Sequence, residues 1–406
     1  MPSYLRKDGD TDQRLGASLL SGELELPCLV LKNAELEHNI EAMRAYCASN
    51  GVSIAPHVKT TMAPAIIRRQ LAAGAWGVTV ATMQQLRVCL DLGTERILLA
   101  NELVDAAAAA RLAYELSERP SQEVYCLVDS VSGVDRLAHG LRASGTERKL
   151  PVLIELGVMN GRTGCRTLPE AATIARAVAR NEELSLAGVE GFEGILGKSR
   201  SREELARVDE FLKTITCGAR QLEGAGLFGD APEVVLSAGG SMYFDRVVEI
   251  FNSAKLGRPC RVVLRSGCYV THDHGNYVDP PPLPAAGGGN ELRPALELWS
   301  EIVSVPEPGR AIAGFGRRNA PFDAGLPVVL AKLSPGCTRL EPCTYPAVTG
   351  LNDQHAYLDT SAGPALGVGD RVVLGIVHPC TAFDKWRQVL LIDETYSVLE
   401  TIDTFF

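Results

Sequence analysis

At 406 residues the chain is longer than one hydrophobic core usually serves, so a large domain and a smaller one are expected. Hydrophobic residues make up 46% and charged residues 22%, an ordinary globular composition that excludes disorder and fibrous repeats. Lysine and arginine total 40 against 49 acids, a net charge of -9 with no dense basic run, which argues against nucleic acid and anionic membranes as partners.

In chain order, MPSYLRKDGDTDQRLGASLL carries charges throughout and has no uninterrupted apolar stretch, so neither a secretory signal nor a membrane span is readable there. The eleven cysteines are an odd number without paired spacing, several inside apolar runs such as RVCLDL, and fit reduced thiols in a cytosol. LELPCLV reads as a strand that can join a β domain formed later in the chain.

Between residues 50 and 267, eight short apolar runs recur, each bounded by turn residues: VSIAPHV, GVTVAT, RILLAN, EVYCLVD, PVLIELG, LAGVEGFEG, EVVLSAGG and RVVLRSG. Continuous apolar runs are what parallel strands buried on both faces require. Stretches such as MAPAIIRRQLAAG and REELARVDEFLKTITCGARQLEGAG supply amphipathic crossover helices. The expectation is an eight-stranded parallel β/α barrel over 29–275, with a doubly wound open sheet as the alternative. YVDPPPLPAAGGGNELRP then reads as a linker, and the β-like runs LELWSEIVSVPE, LPVVLAKL, DRVVLGIVHP and QVLLIDETYSVLETI predict an antiparallel β-rich domain made of 1–28 plus 276–406.

Barrel chemistry sits at the carboxyl ends of strands, so polar residues there are the candidates. Lys59, beside His57 in PHVKTT, ends the first run, and a lysine in a barrel mouth must be paired, desolvated or covalently occupied. Gly239, Gly240 and Ser241 in LSAGGS offer backbone N–H groups and a hydroxyl to a phosphate; alone, the turn is equally a plain loop. ELGVMNGRTGC presents Glu155, Asn160, Arg162 and Thr163, with Arg162 a candidate to balance a cofactor's phenolate or ring nitrogen. SGCYVTHDHGNY gathers Tyr269, His272, Asp273 and His274, where the H-x-H pair is either a metal site or a hydrogen-bonded rim. In VHPCTAFDKW, His378 and Cys380 straddle Pro379; alternate positions of an extended backbone put both on one side, as two of zinc's preferred ligands or as a buried cysteine beside a satisfied histidine.

Together, ELPCLVL, PHVKTTMAP, ELGVMNGRTGC, GVEGFEGI, LSAGGS, LNDQHAYL and VHPCTAFDKW resemble the fold-type III pyridoxal-phosphate enzymes, specifically the D-serine dehydratase and D-threonine aldolase family, over nearly the whole chain. RSGCYVTHDHGNY looks more like the bacterial amino acid deaminase branch than like the eukaryotic enzymes. The resemblance implies an alanine racemase-like barrel with a C-terminal β domain and Lys59 carrying pyridoxal 5'-phosphate as a Schiff base. His57, Arg162, Thr163, Gly239, Gly240, Ser241 and Tyr269 would touch the cofactor. His378 and Cys380 would hold a divalent metal, zinc on the softness of the thiolate, with manganese as the other option. Thr61 and Phe192 stand where the family often has histidine and tyrosine. The expected activity is dehydration and deamination of D-serine and D-threonine to a 2-oxo acid and ammonia in a cytosolic homodimer; retro-aldol cleavage to glycine and an aldehyde is the alternative. A racemase and a non-catalytic cofactor carrier are the remoter readings.

Overall fold

The structure is a computed structural model and describes residues 14–145, 148–275, 291–363 and 365–406. Two compact units result: one of residues 44–59 and 70–267, the other of the described residues up to 43, 60–69 and from 268 onward. The linker expected over 277–294 falls largely outside the described residues.

Strand β1 (Cys28–Lys32) is followed by eight strands that form one parallel sheet. They are β2 (Ser53–Ile54), β3 (Val78–Val80), β4 (Arg96–Glu102), β5 (Glu123–Val128), β6 (Leu150–Leu156), β7 (Leu184–Gly191), β8 (Val234–Ala238) and β9 (Cys260–Leu264). Each coincides with one of the eight apolar runs. The order β2-β9-β8-β7-β6-β5-β4-β3 brings the two ends together, where Trp76 N–H donates to the Ile54 carbonyl at 2.9 Å and Thr79 N–H to that of Pro56 at 2.8 Å. These bonds close the sheet into a barrel and exclude the open-sheet alternative. β2 is short because Pro56 has no N–H to continue its ladder.

The crossovers include α1 (Met83–Asp91), α2 (Ala106–Ser117), α3 (Val131–Arg142), α4 (Leu168–Ala179) and α5 (Arg202–Gly224), each opened by a polar cap. Thr82, Asp105, Ser130, Thr167 and Ser201 accept backbone N–H groups of their own first turns, which fixes where each strand's trailing loop ends. Inside the barrel, Ala55, Leu98, Leu127, Leu153, Val235 and Val263 pack as one cluster. Gly188 lets β7 approach β8 closely, since a Cβ there would run into the Val235 carbonyl.

The second unit is built on a ten-stranded sheet of β1 with β10 (Leu296–Glu307), β11 (Arg310–Ala313), β12 (Val328–Leu333), β13 (Glu341–Pro342), β14 (Ala347–Leu351), β15 (Ala356–Asp359), β16 (Arg371–Gly375), β17 (Gln388–Ile392) and β18 (Val398–Asp403). Every pairing is antiparallel except β1 with β17. The strand in LELPCLV thus lies between β10 and β17, with Trp299, Val30, Val373 and Leu390 in the core beside it. No helix among the described residues is long and apolar enough to cross a membrane.

Candidate active site

Lys59 stands in a short 3-10 turn, Val58–Thr60, just past β2 and is half-buried. Among the described residues its ammonium has no hydrogen-bond or ion-pair partner. His57 is tied in by its backbone N–H, which donates to the Arg265 carbonyl at 3.2 Å, while its Nδ1 is buried and unpartnered. Burial, then the positive charges of Lys59 and Arg265, hold its pKa well below the usual imidazole range, so the ring is neutral.

Arg265, one residue past β9, draws three strand ends together. It ion-pairs with Glu190 of β7 at 2.6 Å and donates to Ser237 Oγ of β8 at 2.9 Å and to the Gly191 carbonyl at 3.2 Å. Burial pushes Glu190 up to about 7 against the pull of the guanidinium. Glu155, the β6 residue opposite Glu190 in the ladder, accepts from Thr163 Oγ1 at 2.8 Å and lies 3.8 Å from Arg162. Arg162 is exposed and rests over the Phe192 ring at 4.9 Å. Burial and the neighbouring Glu155 raise Glu102 of β4 to about 9.

The backbone N–H groups of Gly239 and Gly240 form an anion cradle past β8, with half-buried Ser241 next in the chain. That cradle is filled from within: Glu193, fully buried, accepts from Gly239 at 3.1 Å and from Gly240 at 2.6 Å. The sequence assigns these donors to a phosphate, and here a side-chain carboxylate holds them.

In the second unit the H-P-C segment is not extended, as alternation along a strand would have it. β16 stops at Gly375, and Pro379 opens a 3-10 turn, Pro379–Thr381, capped by His378. The two side chains still meet, because the turn folds Cys380 back onto the His378 ring. His378 Nδ1 faces Asp323 at 2.6 Å, and Thr381 Oγ1 donates to the same carboxylate at 2.8 Å. Cys380 Sγ lies 3.1 Å from Cys268 Sγ and 3.3 Å from Thr60 Oγ1. Hydrogen bonds from Cys268, His378 and Thr60 hold the Cys380 thiol well below its ordinary pKa, and the bond to Cys380, helped by Asp323, raises His378 to about 9.

Tyr269 is buried in the 3-10 turn Cys268–Val270 of this unit. His272 and His274 do not form an extended pair: His272 takes a left-handed backbone (φ 47°), and burial lowers both rings to about 4. Asp323, Cys268, Thr60, Glu190 and Glu193 escaped the sequence reading. Arg265 carried the same signal as Lys59, a charge at the end of an apolar run; Asp323 carried none.

Two family models match: "Alanine racemase, N-terminal domain" over residues 31–225 and "Putative serine dehydratase domain" over 295–392. D-threonine aldolase from Arthrobacter sp is 26% identical over 366 residues, 88% of this chain and 86% of that protein. The chain belongs to the fold-type III pyridoxal-phosphate lyases of the D-threonine aldolase and D-serine dehydratase family. Among solved structures, D-threonine aldolase from Filomicrobium marinum superposes with a TM-score of 0.77 at 24% identity, covering 97% of this chain and 98% of that one. D-threo-3-hydroxyaspartate dehydratase from Delftia sp. HT23 gives 0.73 at 23%, covering 95% and 98%.

A fold-type III lyase needs an amine, an anion cradle and a fixed partner for the cofactor ring, and the barrel residues fit. Lys59 is unpaired, the Gly239 and Gly240 N–H groups converge on the Glu193 carboxylate that a phosphate would have to displace, and Arg265 is fixed by Glu190 and Gly191 of β7 and Ser237 of β8. For a metal the fit is narrower: among the described residues no three His, Cys, Asp or Glu side chains are arranged to hold an ion. The His378–Cys380 pair supplies two soft donors, and Asp323 on Nδ1 leaves Nε2 for the metal.

Proposed function

We propose that this lyase dehydrates and deaminates D-configured 3-hydroxy amino acids such as D-serine and D-threonine, giving a 2-oxo acid and ammonia. Pyridoxal phosphate, when bound, supplies an electron sink for the pair left on Cα. Lys59 would hold the cofactor and, once released as an amine, take the α-proton. Neutral His57 adds no charge against it, and Arg162, steered by Glu155, would orient the cofactor oxygen. His378 and Cys380 would hold a divalent metal, which supplies Lewis acidity to the departing 3-hydroxyl. Thr60, whose hydroxyl touches the Cys380 sulfur, directly follows Lys59 in the chain.

The observation that carries dehydration over cleavage is the thiol at position 380. A soft donor beside imidazole suits a metal that draws off hydroxide, whereas retro-aldol cleavage needs a base for the hydroxyl proton. A D-threo-3-hydroxyaspartate dehydratase has been solved with alanine in place of a histidine and in place of a cysteine two positions on, the latter metal-free; this chain has the same spacing. Aldolase cleavage is the second reading, favoured by the Arthrobacter relative's match over most of its length. The test offers D-serine and D-threonine to the protein with pyridoxal phosphate and zinc. Pyruvate or 2-oxobutyrate is expected, lost by at least ~100-fold in Lys59→Ala and on chelation; glycine with acetaldehyde would install the aldolase instead.

A further inference from the structure

Cys268 and Cys380 stand 112 residues apart in the chain, yet their sulfur atoms are 3.1 Å apart. Both sit in short 3-10 turns, Cys268–Val270 and Pro379–Thr381, so neither sulfur hangs from a loose loop. Cys380 is partly exposed and Cys268 is buried, which gives one sulfur that a small oxidant can reach and one waiting behind it. The other nine cysteines are also free thiols, eight of them buried or half-buried and Cys337 exposed. Closing the remaining gap to a bonded sulfur pair takes roughly 1 Å.

We propose that Cys268 and Cys380 form a reversible disulfide, a modification site that takes Cys380 out of metal binding. The oxidant class is a hydroperoxide. Cys380 is oxidised to the sulfenic acid as the peroxide O–O bond breaks and the distal fragment leaves as an alcohol, or as water where the oxidant is hydrogen peroxide. The Cys268 sulfur then attacks the Cys380 sulfur, its proton joins the departing hydroxide as water, and the S–S bond forms. Two equivalents of a thiol reductant restore both cysteines. The bond itself does not depend on the lyase reading; the loss of a metal donor does rest on it.

The full-length protein, stripped of metal by chelator, is treated with a small excess of hydrogen peroxide, alkylated, digested and mapped by mass spectrometry. A linked Cys268–Cys380 peptide pair is expected, with two fewer alkylatable thiols per chain, reversed by dithiothreitol and absent in Cys268→Ser. Recovery of Cys268 as a free thiol while Cys380 advances to sulfinic acid would overturn the proposal. So would a Cys380 bond to any other cysteine. Zinc uptake by equilibrium dialysis separates the two ideas: a linked protein that takes up zinc as before keeps the disulfide and sinks the metal assignment.

Discussion

Asp323 reaches the His378 ring from 55 residues away, and its removal tests how much that contact orients the imidazole. Asp323→Ala is expected to weaken zinc binding about 10- to 100-fold in a chelator competition. Glu102 offers a different test. Burial and Glu155 lift it from 4.5 to about 9, so the folded chain holds this proton more tightly than the unfolded one. The contribution to stability is whole below about 4.5 and is lost as the pH climbs toward 9. Glu102→Gln, uncharged throughout, should gain ~1 kcal/mol or more on the parent between pH 5 and pH 8, seen as a flatter curve of melting temperature against pH. At this scale the sequence was legible where a charge interrupts an apolar run, as at Lys59. Glu193 and Asp323 were not, because what they touch is set by loops that meet only in three dimensions.

Among the elements, the eight barrel strands were readable since parallel strands buried on both faces leave continuous apolar runs. β11, β13, β14 and β15 were not: RAIA, EP, AVTGL and AYLD are short, and most have one open face. The turn at Pro379 had a signal, a proline at the first position of a helical turn, that the strand pattern before it masked. Gly188 is where an element is most exposed to a single change. Gly188→Ala would force β7 off the β8 backbone, costing about 2 to 3 kcal/mol, read as a lower urea midpoint with an unchanged slope.

For the whole molecule, two units each with its own apolar cluster follow from a chain too long for one core. Trp299, fully buried with its ring 5.3 Å from that of Tyr396 and its Nε1 donating to Glu297, anchors the cluster of the β-rich unit. Trp299→Ala is expected to cost ~3 to 5 kcal/mol, with deuterium uptake rising first in β1, β10 and β16.

The position of β1 bears on how the protein is made. Val30 pairs with Glu297 on one side and with Leu390 on the other, so β1, the first of the described strands to be made, waits for almost the last of them. Until Gln388–Ile392 emerges, four apolar residues of β1 present a bare edge to the cell. Vectorial synthesis therefore completes the barrel before the sheet that begins ahead of it, and premature termination near the carboxyl end would strand an aggregation-prone ribbon at the amino end.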